Sequence, residues 1–166
     1  GVTTALELEW GIEYLKEWYE TRKSKALINY GASVCWPFER FKAMGKYKSA
    51  TDELYQTMLK GQASIEGRNN VLAPSFLETL TPSEKENTLT NIKKSLEEGG
   101  IGIGVPIGYL PRTNADEMYA VYKLAGDLDA LVFSHVREPN MISIQEAIAD
   151  AVLTHAPLHI VHINSM

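Results

Sequence analysis

Four residues stand out as a set whose types and spacing could do chemistry: His135, His162, Glu7 and Glu9. In the segment ALVFSH, Leu131, Phe133 and His135 fall on every second position, so the imidazole ends an apolar stripe. In LHIVH, Leu158, Ile160 and His162 repeat the pattern. Val2 to Glu9 alternates as a strand, with Glu7 and Glu9 near its end and on the same side. Parallel α/β proteins bind ligands at the C-terminal ends of their strands. Two strand-end imidazoles and a strand-end carboxylate there form an N/N/O donor set for zinc or a similar divalent metal. Neutral imidazole gives a lone pair, and the carboxylate offsets the ion's charge. Such an ion lowers the pKa of water and polarises an amide carbonyl. The competing reading is a pair of rim histidines that hold no metal.

Other reactive side chains carry weaker signals. His159 is expected to face away from His162, toward a helix layer. His155 closes a helix, where a cation suits the dipole. Cys35, between strand and aromatic residues, reads as a buried structural thiol. Arg137 and Glu138 follow His135 and read either as a solvated pair or as groups near the site. Tyr109 and Arg112 lie on the loop after IGIGVPI, where they overhang the strand ends and could grip a carboxylate or pack the loop.

The elements that must position these groups alternate. Val2–Glu9 predicts a strand ended by Gly11. Ile12, Leu15, Trp18 and Tyr19 recur at helical spacing as far as Arg22. Residues 26–30 (ALINY) predict a second strand closed by Gly31, and 33–47 a loop with a short helix. Residues 52–59 suit a helix. The Gly-, Asn- and Ser-rich stretch 60–75 has no period and reads as a long loop. Thr81-Pro82-Ser83-Glu84 is a capping-box start, with a stop at Gly99-Gly100. Asn114 with Glu117, and Ser143 with Glu146, mark two further helix starts. Near-continuous apolar strands alternating with helices mean a parallel sheet covered by helices. Either a doubly wound sheet or a (β/α) barrel satisfies that pattern.

Composition narrows the function. The chain has 166 residues, one cysteine and a net charge of -5. One domain over 1–166 fits that length. A single cysteine excludes an internal disulfide framework and a Cys-only zinc site. The acidic balance argues against nucleic acid, and no apolar run reaches membrane-spanning length. A cytoplasmic location is expected. No GxGxxG follows the first strand and no GxxxxGK[ST] occurs.

Taken in order, several segments resemble the amidohydrolase superfamily, and within it the N-acyl-D-amino-acid deacylases. GVTT at 1–4 is similar to the family's entry to its second barrel strand. Asn29, Arg40, Met44 and Gly45 follow more loosely. The stretch from Leu96 to Glu117, with GIGIGVPIGYLP, resembles the glycine-rich fourth strand and its Tyr-x-Pro loop, with Tyr109 and Pro111 matching. FSHVRE at 133–138 and HIVHIN at 159–164 resemble the His motifs of strands five and six.

The resemblance implies a partial (β/α) TIM barrel of about five parallel strands, strands two to six of eight. It implies that His135 and His162 are metal ligands, with Glu9, and secondarily Glu7, replacing the family's second-strand Cys, where Trp10 stands. It implies that Tyr109 and Arg137 lie near the substrate. Asn164 stands where a lysine is common. The parent reaction would hydrolyse the linear amide of a small N-acyl amino acid. The family's first-strand HxH pair would precede Gly1 and its eighth-strand Asp would follow Met166; no HxH occurs in the chain. The chain is therefore expected to carry no catalytic base and to be inactive alone. The alternative is a non-catalytic α/β binding or assembly module, homodimeric through exposed sheet edges.

Overall fold

The computed structural model describes residues 1–60, 70, 71, 73 and 75–165. Most of the 60–75 stretch, expected as a loop, lies outside the described residues; the described ones at its end, 70, 71, 73 and 75, are helical and not loop. Five parallel strands form one sheet in the order β1-β2-β3-β4-β5. They are β1 (Thr4–Ile12), β2 (Asn29–Cys35), β3 (Ile103–Pro106), β4 (Val132–His135) and β5 (Leu158–Ile160). The helices between them are α1 (Leu15–Arg22), α2 (Trp36–Ala43), α3 (Lys48–Leu59), α4 (Pro82–Glu97), α5 (Ala115–Asp127) and α6 (Met141–Thr154). Parallel neighbours need such crossovers, and the helices cover one face of the sheet. Among the described residues no helix is long and apolar enough to cross a membrane.

The core lies between sheet and helices. Ala32, Val34, Ile103, Val105 and Val132 meet Leu15, Ile92, Met118, Val121, Tyr122 and Ala151 there. A second cluster joins Cys35, Phe38, Phe41 and Leu54. Each large apolar side chain buried in this way contributes about 1.5–3 kcal/mol. Within that setting Arg40 is fully buried. Its Nε donates to Glu117 at 2.9 Å, and its terminal nitrogens donate to the carbonyls of Ser75 and Glu78. Burial pushes the Glu117 carboxyl above its ordinary range, against the pull of Arg40 and the Trp36 indole.

The helix starts follow local chemistry. Thr81 and Glu84 cap α4 reciprocally. Asn114 caps α5 by accepting from the Glu117 N–H at 2.8 Å. For α6 the cap is Asn140, whose side chain accepts from Ser143 N–H at 2.9 Å, and not the expected Ser143. The Ser143 hydroxyl accepts from the Glu138 N–H instead.

Three strand boundaries also differ from expectation. β1 runs through Gly11 to Ile12, with a register shift between Glu7 and Ile12. β2 begins at Asn29 and runs through Gly31 to Cys35; Leu27 lies outside it and is exposed. The buried run Gly31–Cys35 pairs with β1 and β3, and pairing decides the strand where composition favoured ALINY. β5 stops at Ile160, so His162 lies two residues beyond it, at φ 35°.

The sheet is rolled, and β1 makes the roll. Its bulged segment leans over β2 onto β3. The Ser33 hydroxyl donates to the Leu8 carbonyl at 2.7 Å. A Cβ on Gly104 would sit 2.7 Å from the Glu9 carbonyl and 3.0 Å from that of Leu8. Only glycine leaves the β1 backbone room to cross there.

Candidate metal centre

The concave face of the roll carries the polar groups. His135 is the last residue of β4 and alternates with Ser134, which faces the helices and hydrogen-bonds Tyr122. His135 Nδ1 lies 2.7 Å from the Val136 carbonyl oxygen. His162 enters from the turn after β5. Its ring centroid lies 4.8 Å from that of His135, nearly perpendicular to it. Glu9 enters from the bulge of β1, and its Oε2 lies 3.4 Å from His162 Nε2.

Glu9, His135 and His162 each offer a ligand atom, and these atoms all lie within 4.8 Å of one another. Glu9 and His135 are half-buried and His162 is exposed. Two ligand atoms about 2.1 Å from a tetrahedral zinc stand about 3.4 Å apart, which is the Glu9–His162 separation. The donor chemistry fits a divalent ion: two imidazoles and one carboxylate. Three protein ligands leave a position for water or substrate.

The remaining sequence-derived residues scatter. Glu7 precedes the bulge, is exposed and lies outside the donor group. Tyr109 stands beside His135, ring centroids 5.2 Å apart, with half its surface exposed. Arg137 forks onto both carboxylate oxygens of Glu146, at 2.9 and 3.2 Å, and donates to the Thr113 carbonyl at 2.9 Å. With Tyr122, Ser134 and Glu146 it lines a cavity between β4 and the helices, on the side away from the donor group. Its ion-pair partner is thus Glu146 rather than Glu138. Arg112 and Asn164 are exposed, and the Arg112 carbonyl accepts from Thr79. His159 does not face the helices as expected. It pairs in register with Phe133, which shares the His135 face, and their rings lie 6.0 Å apart. His155 caps α6 in the left-handed conformation.

Two features escaped the sequence. Trp10 packs edge-on against both Tyr109 and Phe76, extending the aromatic surface beside His135. Nothing in local spacing joins positions 10, 76 and 109. The Arg40–Glu117 pair had a faint signal, an arginine inside the apolar run WPFERF.

No family model matches the sequence, and no curated protein matches it. Solved structures do. A D-aminoacylase studied for the functional role of its binuclear metal centre, with activation by one metal and attenuation by the second, superposes at TM-score 0.60 over 87% of this chain, at 13% identity. A D-aminoacylase mutant in complex with copper chloride superposes at TM-score 0.64 over 95% of this chain, also at 13% identity.

The fold is similar to that of part of D-aminoacylase. This chain spans 26% and 34% of those two D-aminoacylase chains, so it matches a section of a longer protein. The five parallel strands with alternating helices correspond to a partial barrel of D-aminoacylase type. At such low identity the likeness to D-aminoacylase speaks for architecture alone.

Proposed function

We propose that this chain is the metal-holding section of a D-aminoacylase-like amidohydrolase, with Glu9, His135 and His162 as ligands of a zinc-like divalent ion. The observation that carries the reading is the meeting of those three donors on the concave face, from β1, β4 and the turn after β5. When bound there, the ion supplies Lewis acidity toward water and an amide carbonyl. The chain's own groups do the rest. The Val136 carbonyl oxygen lies 2.7 Å from His135 Nδ1 and limits how far the ring can turn. Tyr109 offers a phenolic donor and an apolar ring at the rim beside it. The substrate class in this reading is a small N-acyl amino acid. The chain contains no HxH pair, and in this reading it provides no general base, so hydrolysis needs groups from the remainder of the barrel.

The test is metal content. The protein, dialysed against trace zinc, is weighed for bound metal by elemental mass spectrometry beside the Glu9→Ala, His135→Ala and His162→Ala variants. About one ion per chain in the parent, lost in each variant, supports the reading. Equal metal in parent and variants overturns it.

A second reading, a non-catalytic assembly module, draws on the sheet edges. Among the described residues β1 and β5 have no outer neighbour, and α6 next to β5 exposes Met141, Ile142, Val152 and Leu153. Open strand edges and apolar faces favour self-association. Light scattering decides: a dimer supports this role, and a monodisperse monomer removes it.

A further inference from the structure

We propose that Ser33 is a positioning residue of the metal centre, acting on Glu9 through the backbone of β1; the inference rests on the metal reading above. The last regular pair of β1 and β2 is Glu7 with Ala32, and the next is Ile12 with Val34. Leu8, Glu9, Trp10 and Gly11 lie between those pairs, and β2 offers them one residue, Ser33. Four residues facing one make an irregular bulge, in which the pleat no longer sets where a side chain points. Glu9 sits inside it.

The bulge is tied down at two points instead. At its far end Gly11, at φ 80°, passes so close to β2 that a Cβ would sit 2.6 Å from the Cys35 backbone nitrogen. At its near end the Ser33 hydroxyl donates to the Leu8 carbonyl at 2.7 Å. Ser33 is fully buried, so water does not compete for that bond. The Leu8 carbonyl and the Glu9 N–H belong to one planar peptide unit. Holding the carbonyl therefore holds the plane from which the Glu9 Cα departs. That plane sets the line along which the carboxylate reaches His162, 3.4 Å away. The two imidazoles are carried by β4 and the turn after β5, away from this bond.

The experiment compares Ser33→Ala with Ser95→Ala. Ser95 is the control: its buried hydroxyl donates to Glu39 at 2.8 Å, from α4 and outside the donor group. A Co²⁺ titration followed by visible absorbance gives the affinity of the folded protein. Amide hydrogen exchange of the metal-free protein reports the backbone of the bulge. Ser33→Ala is expected to bind Co²⁺ about 10-fold more weakly and to exchange faster at Glu9 and Trp10. Ser95→Ala is expected to match the parent in both. Parent-like Co²⁺ affinity in Ser33→Ala, or an equal loss in Ser95→Ala, overturns the proposal, because a merely structural hydroxyl lowers stability without that selective loss. If Ser33→Ala does not fold, Ser33→Cys, similar in shape and only a weak donor, takes its place in the same comparison. A parent that binds no Co²⁺ refutes the metal reading. Exchange at Glu9 and Trp10 then decides by itself whether Ser33 holds the bulge, and unchanged exchange overturns that too.

Discussion

Glu9 Oε2 and His162 Nε2 stand 3.4 Å apart although three strands separate β1 from β5. Adjacent strands lie about 4.8 Å apart, so a flat sheet would hold the outer two about 19 Å from each other. Their meeting therefore measures the roll of the sheet. It also identifies the bulge of β1 and the turn after β5 as the two places where the chain bends to build the centre.

The first prediction follows from that pair. His162 is exposed and Glu9 keeps about a third of its side chain in solvent, so Glu9→Ala and His162→Ala should change the stability of the metal-free protein by no more than about 0.5 kcal/mol. The metal-loaded parent should gain about 2.7 kcal/mol at 100 times the dissociation constant, and the variants should gain almost none at the same zinc concentration. Thermal melts with and without a chelator measure both. A chelator that leaves the parent melt unmoved would count against the site.

Gly104 should be intolerant for a different reason. A side chain there collides with the Glu9 carbonyl and with Ser33 Oγ at 2.8 Å, both of them part of the β1 crossing. Gly104→Ala should cost about 1–3 kcal/mol, as overpacking does, and should weaken metal binding by shifting Glu9. Urea unfolding and zinc titration are the measurements. Parent-like values in both would mean that the crossing does not depend on this glycine.

Arg40 is the structural counterpart. It satisfies Glu117 and the carbonyls of Ser75 and Glu78 from a fully buried position. Arg40→Ala leaves Glu117 buried without its cation and should cost about 3–5 kcal/mol. Arg40→Lys should recover little, because one ammonium cannot reproduce the planar fork. Urea midpoints of the two variants give the answer; a lysine variant near the parent would show that charge alone suffices.

Asp150 supplies a pH dependence. Burial, and then the neighbouring Glu146 one turn earlier on α6, push its carboxyl up, while Arg137 pulls it down. A carboxyl raised by folding is stabilised when protonated. Its contribution is present below the unfolded value of about 3.9 and is lost as pH rises through the folded one. Asp150→Asn should therefore stabilise the protein at pH 7 by about 0.2–0.5 kcal/mol, the size of a like-charge pair one turn apart. The gain should vanish below about pH 4. Stability curves at the two pH values check the sign, and an equal gain at both would remove the electrostatic explanation.

What the sequence determined by itself was local. Alternation in ALVFSH is set by the two-residue period of a strand, and it puts His135 at a strand end whatever the rest of the chain does. The same period places Glu9 near the end of β1. The Thr81 and Asn114 caps are written in three- and four-residue motifs, and both form. Helix–strand alternation was enough for a parallel α/β sheet, and the order of short motifs for the D-aminoacylase-like fold.

Tertiary structure decided everything that depends on distant backbone. ALINY is a good strand by composition, yet Asn29–Cys35 is the strand, because pairing to both β1 and β3 is available there. His162 looked like the end of an alternating stripe, but β5 stops at Ile160, and a positive φ turns the imidazole into the site. Glu7 and Glu9 share a side in a regular strand; the register shift of β1 keeps only Glu9 near the histidines. No local rule links residue 9 to residue 162. Their separation is fixed by the curvature of five strands, and β1 crosses onto β3 where Gly104 presents no side chain.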